Sequence, residues 1–102
     1  MTEKRQHSRV PVDFDVTCIL GDGFSFHGSV ADISFGGMFI ECRRKLEFAT
    51  PLTLVLVGVA PRELRLPAIV RWWRPHGFGV QFGAIGAYAT HALMDFVKTK
   101  SS

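Results

Sequence analysis

The chain has 102 residues, of which 47% are hydrophobic and 21% charged, and its formal net charge is +3. This length and composition predict one domain with a single core. No apolar run reaches the roughly 20 residues of a membrane helix, and the charged N-terminus lacks the apolar stretch of a secretory signal. The mild charge does not point to a long polyanion. We therefore expect a cytoplasmic protein without membrane insertion, and nucleic acid is an unlikely partner.

The first nine residues are polar and carry Arg5 and Arg9 four positions apart, with no helical pattern. We expect residues 1–9 to form a flexible N-terminal arginine segment. The folded domain is expected over residues 10–98, and residues 99–102 are expected to fray.

Three strands are predicted in the first half of the domain, because apolar and polar residues alternate there. They are expected at Val10–Leu20, Phe24–Ile33 and Met38–Cys42. Gly21–Gly23 favours a tight hairpin between the first two strands. The Gly36–Gly37 pair interrupts the alternation and indicates a turn or bulge before the third.

Three more strands and a helix are predicted in the second half. Leu52–Val59 is almost continuously apolar, which indicates a well-covered strand, and alternation resumes over Leu64–Trp72 and Phe78–Phe82. Apolar residues then follow helical spacing over Ile85–Val97. The chain is thus expected to be mainly β, a six-stranded antiparallel β-barrel with a C-terminal α-helix, since closure removes exposed apolar edges.

Trp72 and Trp73 are neighbours on the predicted fifth strand and should face opposite ways. We expect one of them in the core and the other covering the barrel exterior. Stacking on a nucleobase and contact with a partner are alternatives for the second.

Side-chain constellations typical of enzymes and metal sites are not evident in the sequence. The four histidines are scattered without metal-ligand spacing. No glycine-rich phosphate loop precedes a helix, and Ser34 in DISFGG does not match a nucleophile elbow. Cys18 and Cys42 are too few for a disulfide scaffold and are expected as small hydrophobes. We expect a protein that is not an enzyme and holds no metal or cofactor.

Two short motifs carry residues suited to a guanine nucleotide. Arg5 and Arg9 bound the stretch RQHSR, and guanidinium groups bind phosphate oxygens or guanine O6 and N7 and stack on bases. Asp32, Ser34 and Gly37 mark DISFGG, in which a carboxylate can accept from guanine N–H groups and a hydroxyl suits phosphate. A solvated tail and a β-turn are the structural alternatives. Together, in this order, the motifs are specific.

RQHSR, DISFGG and the strand–turn–strand AIVRWWRPHGFGVQF resemble the PilZ domain family over about residues 5–97. PilZ domains are six-stranded barrels with a C-terminal helix that serve as bacterial receptors for cyclic di-GMP through RxxxR and [D/N]xSxxG motifs. The resemblance implies cyclic di-GMP as the ligand and a set of binding residues. These are Arg5, Arg9, Asp32, Ser34, Gly36 and Gly37, with Lys4 as a candidate additional contact. The family binds either one nucleotide or an intercalated pair, and a contact from Lys4 would favour the pair.

The function implied is that of a second-messenger receptor and adaptor. Ligand binding is expected to order the N-terminal segment and to signal through an effector protein that the sequence does not identify. One alternative is a nucleotide-independent protein-interaction adaptor of the same fold. A less favoured alternative is a single-stranded nucleic-acid binder that uses aromatic side chains as stacking platforms.

Overall fold

Six antiparallel strands close into a barrel in the computed structural model of the chain, which describes residues 9–101. The elements are β1 (Val10–Leu20), β2 (Ser25–Ile33), β3 (Gly37–Glu41), β4 (Pro51–Leu56), β5 (Leu64–Arg74), β6 (Gly77–Phe82) and α1 (Gly86–Ser101). The strand order around the barrel is β1-β2-β3-β6-β5-β4. The expected mainly β fold, a six-stranded antiparallel barrel with a C-terminal helix, is confirmed.

The core is filled by the apolar half of each alternating strand, as the sequence pattern predicts. Leu54, Leu66 and Ile40 are completely buried inside the barrel. Helix α1 adds Leu93, which is 1% exposed, and its Phe96 ring packs edge-on against Phe14 of β1 at 5.5 Å between centroids. Burial of one such leucine contributes about 1.5–3 kcal/mol, so α1 is an integral part of the fold.

Two element ends differ from the sequence prediction. Strand β4 ends at Leu56, and Val57 is 71% exposed because Gly58, with a φ of 94°, turns the chain away from the sheet. Helix α1 continues beyond Val97 through Thr99 and Lys100, whereas fraying of residues 99–102 stays a prediction. Cations in the last helical turn interact favourably with the helix dipole. No helix among residues 9–101 has the length and apolar character needed to cross a membrane.

Neither tryptophan lies in the core, so the prediction that one of them would is wrong. A β-bulge in β5 explains the difference: Val70 pairs with Val80, but Trp72 pairs with Gly79, which leaves Arg71 as an extra residue. The alternation therefore slips by one position. Trp72 lies half-buried on the outer face of the barrel, and Trp73, 53% exposed, lies at the end of the barrel.

The thiol of Cys18 is fully buried, and this desolvation, together with the nearby Cys42, raises its pKa from 9.0 to about 12. Above pH 9 the unfolded chain therefore loses this proton while the folded chain keeps it. The stabilisation from the neutral buried thiol is complete below pH 9 and is lost as the pH rises towards 12.

We predict that the free energy of unfolding falls more steeply with pH in the wild-type chain than in Cys18→Ala. The difference in slope should be about 1 kcal/mol per pH unit between about pH 9.5 and 11. Urea denaturation under reducing conditions measures both slopes. Parallel pH dependences would contradict the assignment.

Candidate functional site

The candidate site begins with an ion pair beside the N-terminal end of β1. Asp32 lies opposite Pro11 of β1 and Phe39 of β3, next to a bulge in β2. Arg9 Nε donates to Asp32 Oδ1 over 2.7 Å, with the two side chains 36% and 32% exposed. A pair this exposed contributes about 1 kcal/mol at most. Its main effect is to hold the Arg9 guanidinium against the barrel.

The turn at residues 34–37 is held by its own hydrogen bonds. The Ser34 side chain is 2% exposed, and its hydroxyl donates to the Gly37 carbonyl oxygen at 3.3 Å and accepts from the Gly36 N–H at 3.2 Å. The Gly36 carbonyl oxygen in turn accepts from the Phe82 N–H at 2.9 Å, which attaches the turn to β6. Ser34 therefore shapes this turn from inside.

An aromatic surface lies beside the ion pair on the outer face of the barrel. The Trp72 ring covers Gly79, where any side chain would collide with the indole, and it stacks on Phe39 with 5.1 Å between centroids and 11° between planes. The guanidinium carbon of Arg9 is 5.6 Å from the Trp72 ring centroid, and that of Arg74 is 4.8 Å from it. Two cations thus lie against one indole.

Arg9, Trp72 and the 34–37 turn border a cavity of about 740 Å³, which also lies against β6 and α1. This volume is in the range of about 300–1,000 Å³ that is typical of small-molecule sites. Arg71 also lines the cavity and donates from Nε to Gln81 Oε1 over 2.8 Å. None of the described lining residues is acidic, so the cavity is suited to an anion. Its lining includes Arg9, Ser34, Gly36, Gly37, Arg71, Trp72, Gln81, Thr90, Leu93 and Met94.

Most of the residues singled out in the sequence meet at this place. Arg9, Ser34, Gly36 and Gly37 line the cavity, and Asp32 joins it through its bond to Arg9. Lys4 and Arg5 lie outside the described residues. No group of three or more histidine, cysteine, aspartate or glutamate side chains within residues 9–101 could hold a metal ion.

The two sequence motifs contain none of the residues of β5, β6 and α1 that form one wall of the cavity. Arg71, Trp72 and Gln81 form the barrel side of it, and Leu93 and Met94 form the helix side. The one sequence signal for this wall was the stretch RWWR, in which an arginine stands on each side of the two tryptophans. It could not show which tryptophan faces the cavity, because the bulge at Arg71 decides that.

The model of the PilZ domain family matches residues 3–98. The chain belongs to the PilZ domain family. The RQHSR and DISFGG motifs both fall inside the matched range. No curated protein matches the chain in sequence.

Solved structures, two of them of PilZ domains, share the fold of this PilZ domain. The PilZ domain of CeSA from a cellulose-synthesizing bacterium is 21% identical over 93% of this chain and 99% of its own, with a TM-score of 0.74. The Bacillus subtilis inhibitor of motility MotI is 18% identical over 98% of this chain but only 52% of its own, with a TM-score of 0.81. The Escherichia coli YcgR PilZ domain with c-di-GMP is 11% identical over 97% and 92%, with a TM-score of 0.75. At these identities the likeness shows the fold.

We predict that Gly37→Ala destabilises this PilZ domain, because a Cβ at this position would collide with the carbonyl oxygen of Val80 on β6. The expected loss is about 1–3 kcal/mol of unfolding free energy. Gly21→Ala is the matched control, since nothing lies within 4 Å of its Cβ position. Thermal and urea unfolding measure both variants, and an equal effect of the two would contradict the close approach of β3 to β6.

Proposed function

We propose that this PilZ domain is a bacterial receptor for cyclic di-GMP and binds it in the cavity beside Trp72. The observation that carries the proposal is the arrangement around one cavity of a cation–carboxylate pair, an outward-facing indole and a turn held by Ser34. Family membership and the YcgR PilZ domain structure with c-di-GMP support the choice of ligand.

The arginines would bind the phosphates of the ligand and the Hoogsteen edges of its guanine bases. Within residues 9–101, Arg9 uses its Nε for Asp32, which leaves its two terminal nitrogens to donate to phosphate or to guanine O6 and N7. Arg71 lies on the same wall of the cavity and adds positive charge. We propose that Arg5 supplies a second guanidinium from the N-terminal segment and that Lys4 adds a further contact.

Asp32 and Trp72 would recognise the guanine base itself. The Asp32 carboxylate has a second oxygen, Oδ2, which no described residue occupies, and it can accept from the N1–H and N2–H₂ edge of guanine. The Trp72 ring offers a π-surface, and base stacking on an aromatic ring contributes about 1–3 kcal/mol. Ser34, Gly36 and Gly37 would then act together as the turn that bounds the nucleotide.

The output would be a change in the N-terminal segment. We propose that ligand contact through Arg5 and Arg9 orders this segment against the barrel and creates a surface for an effector protein in the cytoplasm. Arg9 is the point of attachment, because its ion pair with Asp32 joins the segment to β2.

The test is titration calorimetry with cyclic di-GMP on the whole chain. We expect saturable binding, and we expect Arg5→Ala, Arg9→Ala and Asp32→Ala each to weaken it by about 2–4 kcal/mol, or roughly 30- to 1,000-fold. Arg62→Ala is the control, because Arg62 is exposed and lies over Tyr88, away from the cavity.

The outcomes separate the alternatives. Undetectable heat at high micromolar ligand would defeat the receptor proposal and favour the nucleotide-independent adaptor. Binding with three variants indistinguishable from the parent would refute the assigned site. Affinity for single-stranded oligonucleotides that rises with length and falls steeply with salt would instead indicate a nucleic-acid binder.

A further inference from the structure

A second cavity lies at the other end of β3 and β6 from the 34–37 turn. The turn adjoins the pair Gly37 and Gln81, whereas this cavity adjoins the pair Glu41 and Gly77 at the far end of the same two strands. It has a volume of about 670 Å³ and lies between the β3–β4 connection and the β5–β6 turn. We call it the end groove, and its lining includes Arg43, Arg44, Lys45, Leu46, Trp73 and Arg74.

The floor of the end groove is apolar and ordered. The indole N–H of Trp73 donates to the Leu46 carbonyl oxygen, which fixes the ring against the β3–β4 connection. Leu46 is 9% exposed, while Trp73 is 53% exposed, so the tryptophan presents a large apolar surface to solvent. Such exposed aromatic rings are typical of protein interaction sites.

The rim of the end groove is strongly basic. Four of the twelve lysines and arginines of the chain line it, against a single carboxylate, Glu47. The Arg44 guanidinium lies over the Phe24 ring at 4.5 Å. No carboxylate among residues 9–101 forms an ion pair with Arg43 or Lys45. These two exposed cations are therefore available to anionic groups of a partner.

Charge and shape together select the kind of partner. A net charge of +3 over the whole chain is too small for a long polyanion, so a single-stranded nucleic acid, whose bases can also stack on Trp73, is the alternative that the test includes. A short peptide with carboxylates on both sides of an apolar side chain can pair its charges with the basic rim while its apolar side chain covers Trp73 on the floor. We propose that the end groove binds an acidic segment of a partner protein, with an aromatic or aliphatic anchor on Trp73 and carboxylates on Arg43 and Lys45.

This proposal does not depend on nucleotide binding, because the cations that carry it do not line the cavity beside Trp72. Arg74 is left unchanged in the test, since it also lies against the Trp72 ring. The test variants are Arg43→Ser/Lys45→Ser and Trp73→Ala. The matched control is Arg62→Ser/Arg65→Ser, which removes the same charge from exposed residues outside the end groove.

The experiment measures fluorescence anisotropy of a labelled peptide of aspartates and glutamates with a central leucine–phenylalanine pair, at about 150 mM salt. We expect saturable binding that weakens about 5- to 30-fold in Arg43→Ser/Lys45→Ser and about tenfold or more in Trp73→Ala. The control variant should match the parent. A peptide with glycine and serine in place of the apolar pair should bind more weakly than the first.

Several results would overturn the proposal: no saturable binding, equal affinity for the two peptides, or equal losses in the test and control variants. Tighter binding of a single-stranded oligonucleotide of equal charge would assign the end groove to phosphates instead. If Trp73→Ala fails to fold, Arg43→Ser/Lys45→Ser decides alone, since both residues are exposed. Arg43→Ser/Lys45→Ser should bind cyclic di-GMP with the affinity of the parent in calorimetry. A failure of the peptide proposal and a failure of the nucleotide proposal are therefore distinguishable.

Discussion

Gly79 has no side chain, and the indole ring of Trp72 occupies the space that one would take on the outer face of the barrel. This packing requires the bulge at Arg71, because without the extra residue Trp72 would continue the inward alternation of Val70. The candidate site depends on this packing of Trp72 on Gly79. The same indole carries Arg9 on its surface, and it forms the wall that faces the 34–37 turn across the cavity.

The one-residue slip in the alternation of β5 also determines where the end groove forms. Once Trp72 faces outward, Trp73 must turn to the end of the barrel, where it forms the floor of the end groove. Arg74 connects the two places, since it lines the end groove and lies 4.8 Å from the Trp72 ring centroid. A partner in the end groove would therefore bind next to the wall of the cavity beside Trp72. One irregular strand thus serves both the proposed receptor and the proposed adaptor role.

Much of the fold was predictable, because alternation over β1, and over β5 as far as Val70, reports which face is buried. The meeting of Arg9 with the DISFGG turn was also predictable from the motifs and the family resemblance. The bulge at Arg71 was not predictable, since RWWR places a tryptophan on the inward side of the strand in either register. The register that forms depends on Gly79, which pairs with Trp72 from β6. The end of β4 was missed because Val57 is apolar but follows the last paired residue. The hydroxyl of Ser34 suits phosphate chemically, but only the structure shows its bonds within the turn.

The proposed binding mode places a guanine base on Trp72 beside Arg9 and Asp32. Intermolecular nuclear Overhauser effects between cyclic di-GMP and the isotopically labelled chain test it most directly. We expect contacts from the guanine H8 and ribose protons to the Trp72 ring, with shifted amides at Gly36 and Gly37 and none at Trp73. Contacts to Trp73 or to the end groove, with an undisturbed Trp72, would contradict it.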